Sequence, residues 1–262
     1  MASTIKVNTL DTQTGTELAL AATKKITGDN TQFKITGGAS ANVLTTDGAG
    51  VLTWGAVAAG FDDVHVDVSS GSEVYTVPTG VTKLLIFITG GGGSGSAGIA
   101  ATAHGGGGGS AGTVMARVTV VADDTITIEV GAGGLDTANT GSAAGNVGGD
   151  STFTHSTGTG SFDAITAPGG RAGVIYNTMQ ASPIAPTVGS SNAGIAITGG
   201  ASAIHNGGAS FWGQGGIHGI QSLARGTVGE AFGSGGGGGT YTAGLYLGSA
   251  GADGVCFIME FK

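Results

Sequence analysis

The chain is poor in the residues on which most disulfide-stabilised and nucleic-acid-binding proteins depend. Its 262 residues include one cysteine, four prolines and nine lysines and arginines, and only 10% of the residues are charged. The single Cys256 excludes an internal disulfide. Nine cations within a net charge of −8 do not form the basic cluster that a phosphate backbone requires. We therefore expect no nucleic-acid partner and no dependence on an oxidising compartment.

Long apolar runs are also missing from the sequence. No stretch reaches the roughly 18 apolar residues of a membrane span, so we expect no membrane insertion. Residues 1–7 contain no apolar run of signal-peptide length, from which we expect assembly without the secretion signal that a bacterial adhesin needs. Proline is too scarce and glycine too irregular for collagen. With 40% hydrophobic residues, the composition also excludes ordinary disorder.

Glycine is what the chain has in excess. It supplies 56 residues, about three times its usual share of roughly 7%. Glycine tracts are either flexible linkers or segments packed in the manner of polyglycine II. In that state threefold extended helices bond backbone to backbone, and only a residue without a Cβ permits the close approach. Large side chains between the runs, as in 174–176 and 210–212, favour the packed state, because a linker does not need them.

Residues 1–59 contain short apolar or β-branched islands separated by turn residues, such as Asp47 and Gly48. They hold too few large side chains to close a core alone. Sharing one core among several chains solves this problem, and fibres usually do so with three. We predict a shaft region over 1–59, a short intertwined β shaft in a homotrimer, followed by a second domain over 60–262.

Period-two alternation predicts that the second domain is β-sandwich-like. Val64, Val66 and Val68 alternate with polar residues, and the same period appears in 113–121, 125–130 and 255–261. The apolar run at 84–88 predicts a strand that is buried on both faces. Because the last strand must pair with earlier ones, we assign 61–130 and 254–262 to a β framework. Residues 131–253 are then a large glycine-rich, polyglycine-II-like insertion, and the expected fold class is all-β.

The order of these pieces resembles the glycine-rich C-terminal domain of phage tail fibres and related adhesins. The resemblance rests on 75–85 with the following glycine run, on the strand entering Gly-Ala-Gly-Gly at 126–134, on Gly-Gly-Asp-Ser-Thr-Phe at 148–153, and on 248–255. Residues 1–59 are similar to the N-terminal and shaft parts of marine-phage fibres. The family pattern is weakest in 171–229, where similar adhesins carry the loops that contact the receptor.

The resemblance implies a non-enzymatic structural component of the virion, a receptor-binding tail fibre that is assembled in the host cytoplasm. Its host receptor would be an outer-membrane protein or a polysaccharide. The N-terminus, with Ile5, Val7 and Leu10, would attach to a tail adaptor or nozzle protein. A head fibre or capsid decoration protein is the alternative, and a bacterial surface adhesin is a further one.

Aromatic residues among small neighbours are the candidate receptor contacts, because interface energy concentrates in such side chains. The other interpretation is that these rings cap the glycine layers as a thin core. We predict receptor binding by Tyr176, Asn177, His205, Phe211, Trp212, His218, Tyr241 and Tyr246.

Two matches to catalytic motifs are interpreted as chance. Residues 93–98 fit G-x-G-x-x-G, but no helix follows that could hold a pyrophosphate. Residues 108–112 fit the G-x-S-x-G motif of an esterase, but the strand follows Ser110 instead of preceding it. The five histidines lack zinc-site spacing, although His205 and His218 could meet in space. We expect no enzyme activity, no cofactor and no metal.

Overall fold

The computed structural model describes residues 42–46, 52–56, 60–98, 104–137, 143–175, 186–219, 225–240 and 247–262. These residues form strands and no helix, which confirms the all-β prediction. The chain divides into two compact units, residues 1–57 and 58–262. In the first unit, β1 (Asn42–Thr46) pairs antiparallel with β2 (Leu52–Ala56). The predicted attachment residues Ile5, Val7 and Leu10 lie outside the described residues.

Two antiparallel sheets form the frame of the second unit. The five-stranded sheet has the order β10-β6-β5-β11-β3, and the four-stranded sheet has the order β4-β7-β8-β9. The last strand lies between β5 and β3, so the predicted return of the C-terminus to the framework is confirmed. The strands are β3 (Phe61–Asp67), β4 (Gly71–Thr76), β5 (Lys83–Thr89), β6 (Thr113–Thr119), β7 (Thr125–Val130), β8 (Ser151–Thr157), β9 (Ile165–Ala167), β10 (Ala193–Ile197) and β11 (Val255–Phe261).

The insertion predicted over 131–253 is not free of framework strands. β8, β9 and β10 lie inside it and complete both sheets. The sequence signal for them is weak, since β8 buries only one large apolar side chain, Phe153, and β9 has three residues. The framework is therefore larger than the alternation alone predicts.

Inward-facing residues of the two sheets pack into one apolar core. Leu84, Ile86 and Ile88 alternate along β5 and are fully buried, as are Ile126 and Ile128 on β7. Each such side chain contributes about 1.5–3 kcal/mol to the stability of the fold. We call the two sheets with this core the sandwich.

A buried carboxylate ties the loops at one end of the sandwich. The side chain of Asp124 accepts hydrogen bonds from the backbone N–H groups of Val121 at 3.0 Å, Thr159 at 2.9 Å and Gly160 at 3.2 Å. The Nε2 atom of His155 lies 3.6 Å from Asp124 Oδ2. Burial alone would raise the pKa of Asp124, but these hydrogen bonds and His155 outweigh it and lower the pKa.

At the opposite end of the sandwich, seven strands continue directly into glycine-rich segments that have neither strand nor helix conformation. The segments follow β5, β7, β9 and β10 or precede β6, β8 and β11, and further segments within 206–219 and 225–240 pack among them. We call this glycine-rich body the lattice. It comprises residues 90–98, 104–112, 131–137, 143–150, 168–175, 198–219, 225–240 and 247–254.

Hydrogen bonding in the lattice rotates among three neighbours with a period of three residues. Along 91–97, successive N–H groups donate in turn to three segments, 143–149, 249–252 and 106–109, and the order then repeats. The donor and acceptor pairs are Gly91–Gly149, Gly92–Ala252, Gly93–Gly109, Ser94–Asn146, Gly95–Ser249, Ser96–Gly106 and Ala97–Ala143. A threefold helix that bonds outward in three directions is the arrangement of polyglycine II.

The lattice depends on glycine because neighbouring backbones are in direct contact. A Cβ atom placed on Gly92, Gly108 or Gly207 would overlap a carbonyl oxygen of an adjacent segment. The backbone groups that a linker would leave to water are instead paired at 2.8–3.0 Å along most of the lattice. Of the two states open to such tracts, the chain adopts the packed one.

Candidate functional site

The candidate site is the end of the lattice that lies farthest from the sandwich. An extended threefold helix rises about 3.1 Å per residue, so eight residues beyond Thr89 reach about 25 Å from the sheet. At that distance Ala97 donates to Ala143, and Gly105 donates to Gly239. We call the region around these residues the distal end.

The chain passes out of the described residues at the distal end five times. The last lattice residues before each passage are Gly98, Thr137, Ile175, Gly219 and Thr240. Thr137 Oγ1 accepts from the N–H of Gly248 at 2.8 Å, and the N–H of Gly219 donates to the carbonyl of Gly238. Five connections of different sequence therefore begin on one fixed platform.

Four predicted receptor contacts lie outside the described residues, in segments that follow platform residues in the sequence. Tyr176 and Asn177 follow Ile175 directly, and Tyr241 and Tyr246 are the first and last residues of the passage after Thr240. The described structure therefore places the starting points of these segments at the distal end.

The structure brings His205 and His218 together at the distal end and adds His104, which the sequence does not single out. The ring centroids of His205 and His218 are 5.7 Å apart, and those of His104 and His205 are 5.1 Å apart. Asn206 links the cluster, since its Oδ1 accepts from the backbone N–H of His218 at 2.9 Å. More than 100 residues separate His104 from His218 in the sequence, so only the packing of lattice segments makes them neighbours.

Hydrogen bonds fix the orientation of two of these rings. Nδ1 of His205 lies 3.0 Å from the carbonyl oxygen of Gly105, and Nδ1 of His218 lies 3.0 Å from Asn206 Oδ1. Both oxygens accept, so both Nδ1 atoms carry hydrogen and Nε2 is left as the acceptor of a neutral ring. Burial lowers the pKa of His218, and the proximity of His205 and His104 lowers it further.

An ion pair borders the same end. Arg225 binds Asp136 through Nη2 and Oδ2, and Asp136 Oδ1 also accepts from the N–H of Ala250 at 2.7 Å. Both side chains are more than 40% exposed. The distal end thus presents imidazole, guanidinium and carboxylate groups on a backbone scaffold, a combination suited to polar recognition.

Phe211 and Trp212 lie elsewhere, against the outer face of the five-stranded sheet. The ring of Trp212 packs 5.0 Å from that of Phe257, and its Nε1 donates to Thr89 Oγ1 at 2.8 Å. Trp212 is half-buried in this position, whereas Phe211 is 48% exposed. The indole therefore stabilises the junction of sandwich and lattice. This position fits the alternative interpretation of the sequence, in which the aromatic rings cap the glycine layers as a thin core.

The two matches to catalytic motifs lie inside the lattice. Gly93 and Gly95 of the G-x-G-x-x-G match are buried and donate to Gly109 and Ser249. The hydroxyl of Ser110 is buried and lies 2.8 Å from the carbonyl oxygen of Ala209. In both cases the polar groups are engaged in holding neighbouring segments together.

Within the ranges given above, no three His, Cys, Asp or Glu side chains are arranged to hold a metal ion. No helix long and apolar enough to cross a membrane occurs in that part of the chain.

Sequence reasoning did not identify His104, Asn206 or the Arg225–Asp136 pair. A signal for His104 was present, because it directly precedes the glycine run at 105–109 and must therefore lie where a lattice segment begins. Nothing comparable marks the other three.

A family model described as a glycine-rich domain matches residues 67–259, which extend from the end of β3 to β11. No curated protein matches the chain.

Proposed function

The chain belongs to this glycine-rich domain family, and from that premise we propose that it is a non-enzymatic tail fibre of a phage that binds the host surface through its distal end. The observation that carries the proposal is the platform. Seven strands of a sandwich extend as lattice segments to one end, where five connections begin.

A stiff platform makes the connections better binding elements. Loops whose ends are fixed lose less conformational entropy when they bind a partner. The lattice fixes those ends through backbone hydrogen bonds in three directions, which resist displacement more than single side-chain contacts do. Recognition elements that vary in sequence can then be carried without altering the scaffold.

The residues proposed to contact the receptor are those at or next to the distal end. They are Tyr176, Asn177, Tyr241 and Tyr246, with His205 and His218 contributing polar groups beside them. The receptor is an outer-membrane protein or a polysaccharide of the host. Phe211 is not among the proposed contacts, because it lies at the sandwich and not at the distal end.

Assembly completes the proposal. Three chains form the fibre, residues 1–59 attach it to a tail adaptor or nozzle protein, and the particle carries several fibres. Weak contacts at each distal end then add up to durable attachment, because every bound tip raises the effective concentration of the others.

The test compares two aromatic truncations at opposite ends of the domain. Fluorescently labelled full chain is titrated onto a panel of bacterial strains, with Tyr241→Ala as the distal variant and Phe211→Ala as the matched control. We expect Tyr241→Ala to weaken cell binding at least tenfold, the loss of a typical interface anchor, and Phe211→Ala to leave it unchanged. A larger loss with Phe211→Ala would contradict the assignment of the distal end.

A further inference from the structure

The outer faces of the two sheets differ in chemistry. Outward residues of the four-stranded sheet are mostly hydroxylic or charged, and Thr125 and Thr157 bond to each other across strands at 2.6 Å. This face is typical of a sheet in contact with water. Its outward residues are Ser72, Val74, Thr76, Thr125, Thr127, Glu129, Thr152, Thr154, Ser156 and Thr166.

The outer face of the five-stranded sheet is apolar across its whole width. Directly paired residues form one row over all five strands: Ile195, Met115, Phe87, Phe257 and Val66.

A second row of paired residues lies beside it and contains Ala193, Arg117, Leu85, Met259 and Val64. Arg117 is the one charged member. We call these two rows the apolar face. Both faces of β5 are thus hydrophobic, which is the pattern of a strand buried on both sides.

Within one chain the apolar face is only partly covered. Trp212 packs over Phe87 and Phe257 near the lattice, but Val64, Val66 and Ile195 are 40%, 42% and 55% exposed. Phe61 and Val68 at its border are also exposed, at 57% and 48%. A contiguous apolar patch that spans a whole sheet is typical of a protein–protein contact surface.

We propose that the apolar face binds a second copy of this chain, and that it is a contact surface of the three-chain fibre. The inference rests on the proposed function for the number of copies. It adds that the sandwich itself, and not the N-terminal shaft alone, holds the chains together.

Charge complementarity favours a copy of the same chain as the occupant. Arg117 is exposed on the apolar face and forms no ion pair with any described residue. Across the face, the exposed carboxylates Glu230 and Asp253 border a cleft of about 530 Å³ that Val68 and Trp212 also line. Arg117 of one copy can therefore meet the acidic cleft of the next in a head-to-tail contact, the type of interface from which three-membered rings are built.

The first test is thiol protection in the full chain. Burial raises the pKa of the Cys256 thiol, and the carboxylates of Asp67 and Glu73 raise it further, so the natural cysteine stays unreactive. Val66→Cys then introduces one reactive thiol on the apolar face. Val74→Cys introduces its matched control on the hydroxylic face, where Val74 is 63% exposed. We expect maleimide to label Val66→Cys at least tenfold more slowly, and equal rates would overturn the proposal.

The second test is the mass of the assembly by light scattering. We expect three copies for the unmodified chain and for Val74→Asp, and one for Val66→Asp, whose fold is checked by circular dichroism. If Val66→Asp does not fold, the labelling rates decide. If the unmodified chain is monomeric, the proposal is overturned. This outcome would also be expected if residues 1–59 of the same chain covered the apolar face. A monomer that still binds cells would leave the proposed receptor binding standing and remove its three-chain assembly, whereas a trimer that binds no cells would contradict the receptor binding alone.

Discussion

Gly92 lies so close to the carbonyl group of Ser234 that a methyl group on Gly92 would overlap the carbonyl oxygen. The two residues belong to lattice segments more than 140 positions apart. Their separation is set by backbone, which cannot move aside as a flexible side chain can.

Gly92→Ala should therefore destabilise the fold more than an exposed glycine change does. Forcing one methyl group into a filled space costs about 1–3 kcal/mol, and a rigid backbone neighbour places the substitution at the upper end, about 3 kcal/mol. Gly60→Ala is the control, because nothing lies within 4 Å of a Cβ atom there. Urea unfolding should show a loss for Gly92→Ala and a change within about 0.5 kcal/mol for Gly60→Ala. Equal stability of the two variants would show that the lattice is loosely packed.

Trp212 and Phe211 are adjacent in sequence, but we expect them to differ in what their removal costs. Trp212→Ala removes a half-buried indole that contacts Phe87, Phe232 and Phe257, so the free energy of unfolding should decrease by about 3 kcal/mol. Phe211→Ala should cost less than about 1 kcal/mol, since nearly half of the ring is exposed. Trp212→Phe isolates the hydrogen bond to Thr89 and should cost about 1 kcal/mol. The urea concentrations at which the three variants are half unfolded measure these costs. A lower midpoint for Phe211→Ala than for Trp212→Ala would contradict the prediction.

Asp124 should make the sandwich sensitive to acid. Its pKa is lower in the folded chain than in the unfolded chain, so the stability it contributes is complete above about pH 4 and is lost as the pH falls through the lower, folded value. Thermal melting between pH 2 and pH 7 should show this decrease. Asp124→Asn should flatten it and lower the stability at neutral pH by about 2 kcal/mol, because the carboxylate no longer accepts from three N–H groups. The exposed neighbour Asp123→Asn serves as the control and should retain the full acid dependence.

His218 should remain neutral to a lower pH than a free histidine. Its pKa is lowered in the folded chain, so the unfolded chain takes up the proton first as the pH falls. The free energy of unfolding should therefore decrease below about pH 6.5 and level off once the folded pKa has been passed. An NMR titration of the imidazole C–H signals measures this directly. His205→Gln should move the pKa of His218 back toward its ordinary value, and no movement would mean that His205 does not contribute to the lowering.

Six of the framework strands, β3 to β7 and β11, could be predicted from the sequence because each has a strong local signal. Val64 and Val66 alternate with polar residues, and Val255–Phe261 continues the same period at the C-terminus. The last strand must pair with earlier strands because its own backbone N–H and C=O groups need hydrogen-bond partners, and β5 is one of these strands. β10 could not be predicted in this way. Its sequence, AGIAI, is mostly small residues, and its place at the sheet edge depends on β6.

The neighbours within the lattice could not be predicted at all. Glycine content predicts the capacity for close packing, but every glycine run has the same chemistry, so the sequence does not specify which runs adjoin. The pairing of Ser96 with Gly106, and hence the meeting of His104 with His205, follows from the register of segments far apart in the chain. The position of Trp212 could not be predicted for the same reason. Its neighbours in the sequence are mostly small, and the residue on which it packs, Phe257, is distant in the chain.

The rotation of hydrogen bonds among three neighbours has a consequence for how the chain can evolve. Each lattice residue is constrained by three adjacent segments at once. A mutation there therefore disturbs contacts with several distant parts of the chain at the same time. A residue added beyond Gly98, Thr137 or Thr240 alters no register, since the next segment re-enters the lattice at the same height. Genetic variation should therefore accumulate at the distal end in both length and sequence, while the glycine runs stay nearly fixed. Populations of such chains would diverge at the tip and remain alike everywhere else.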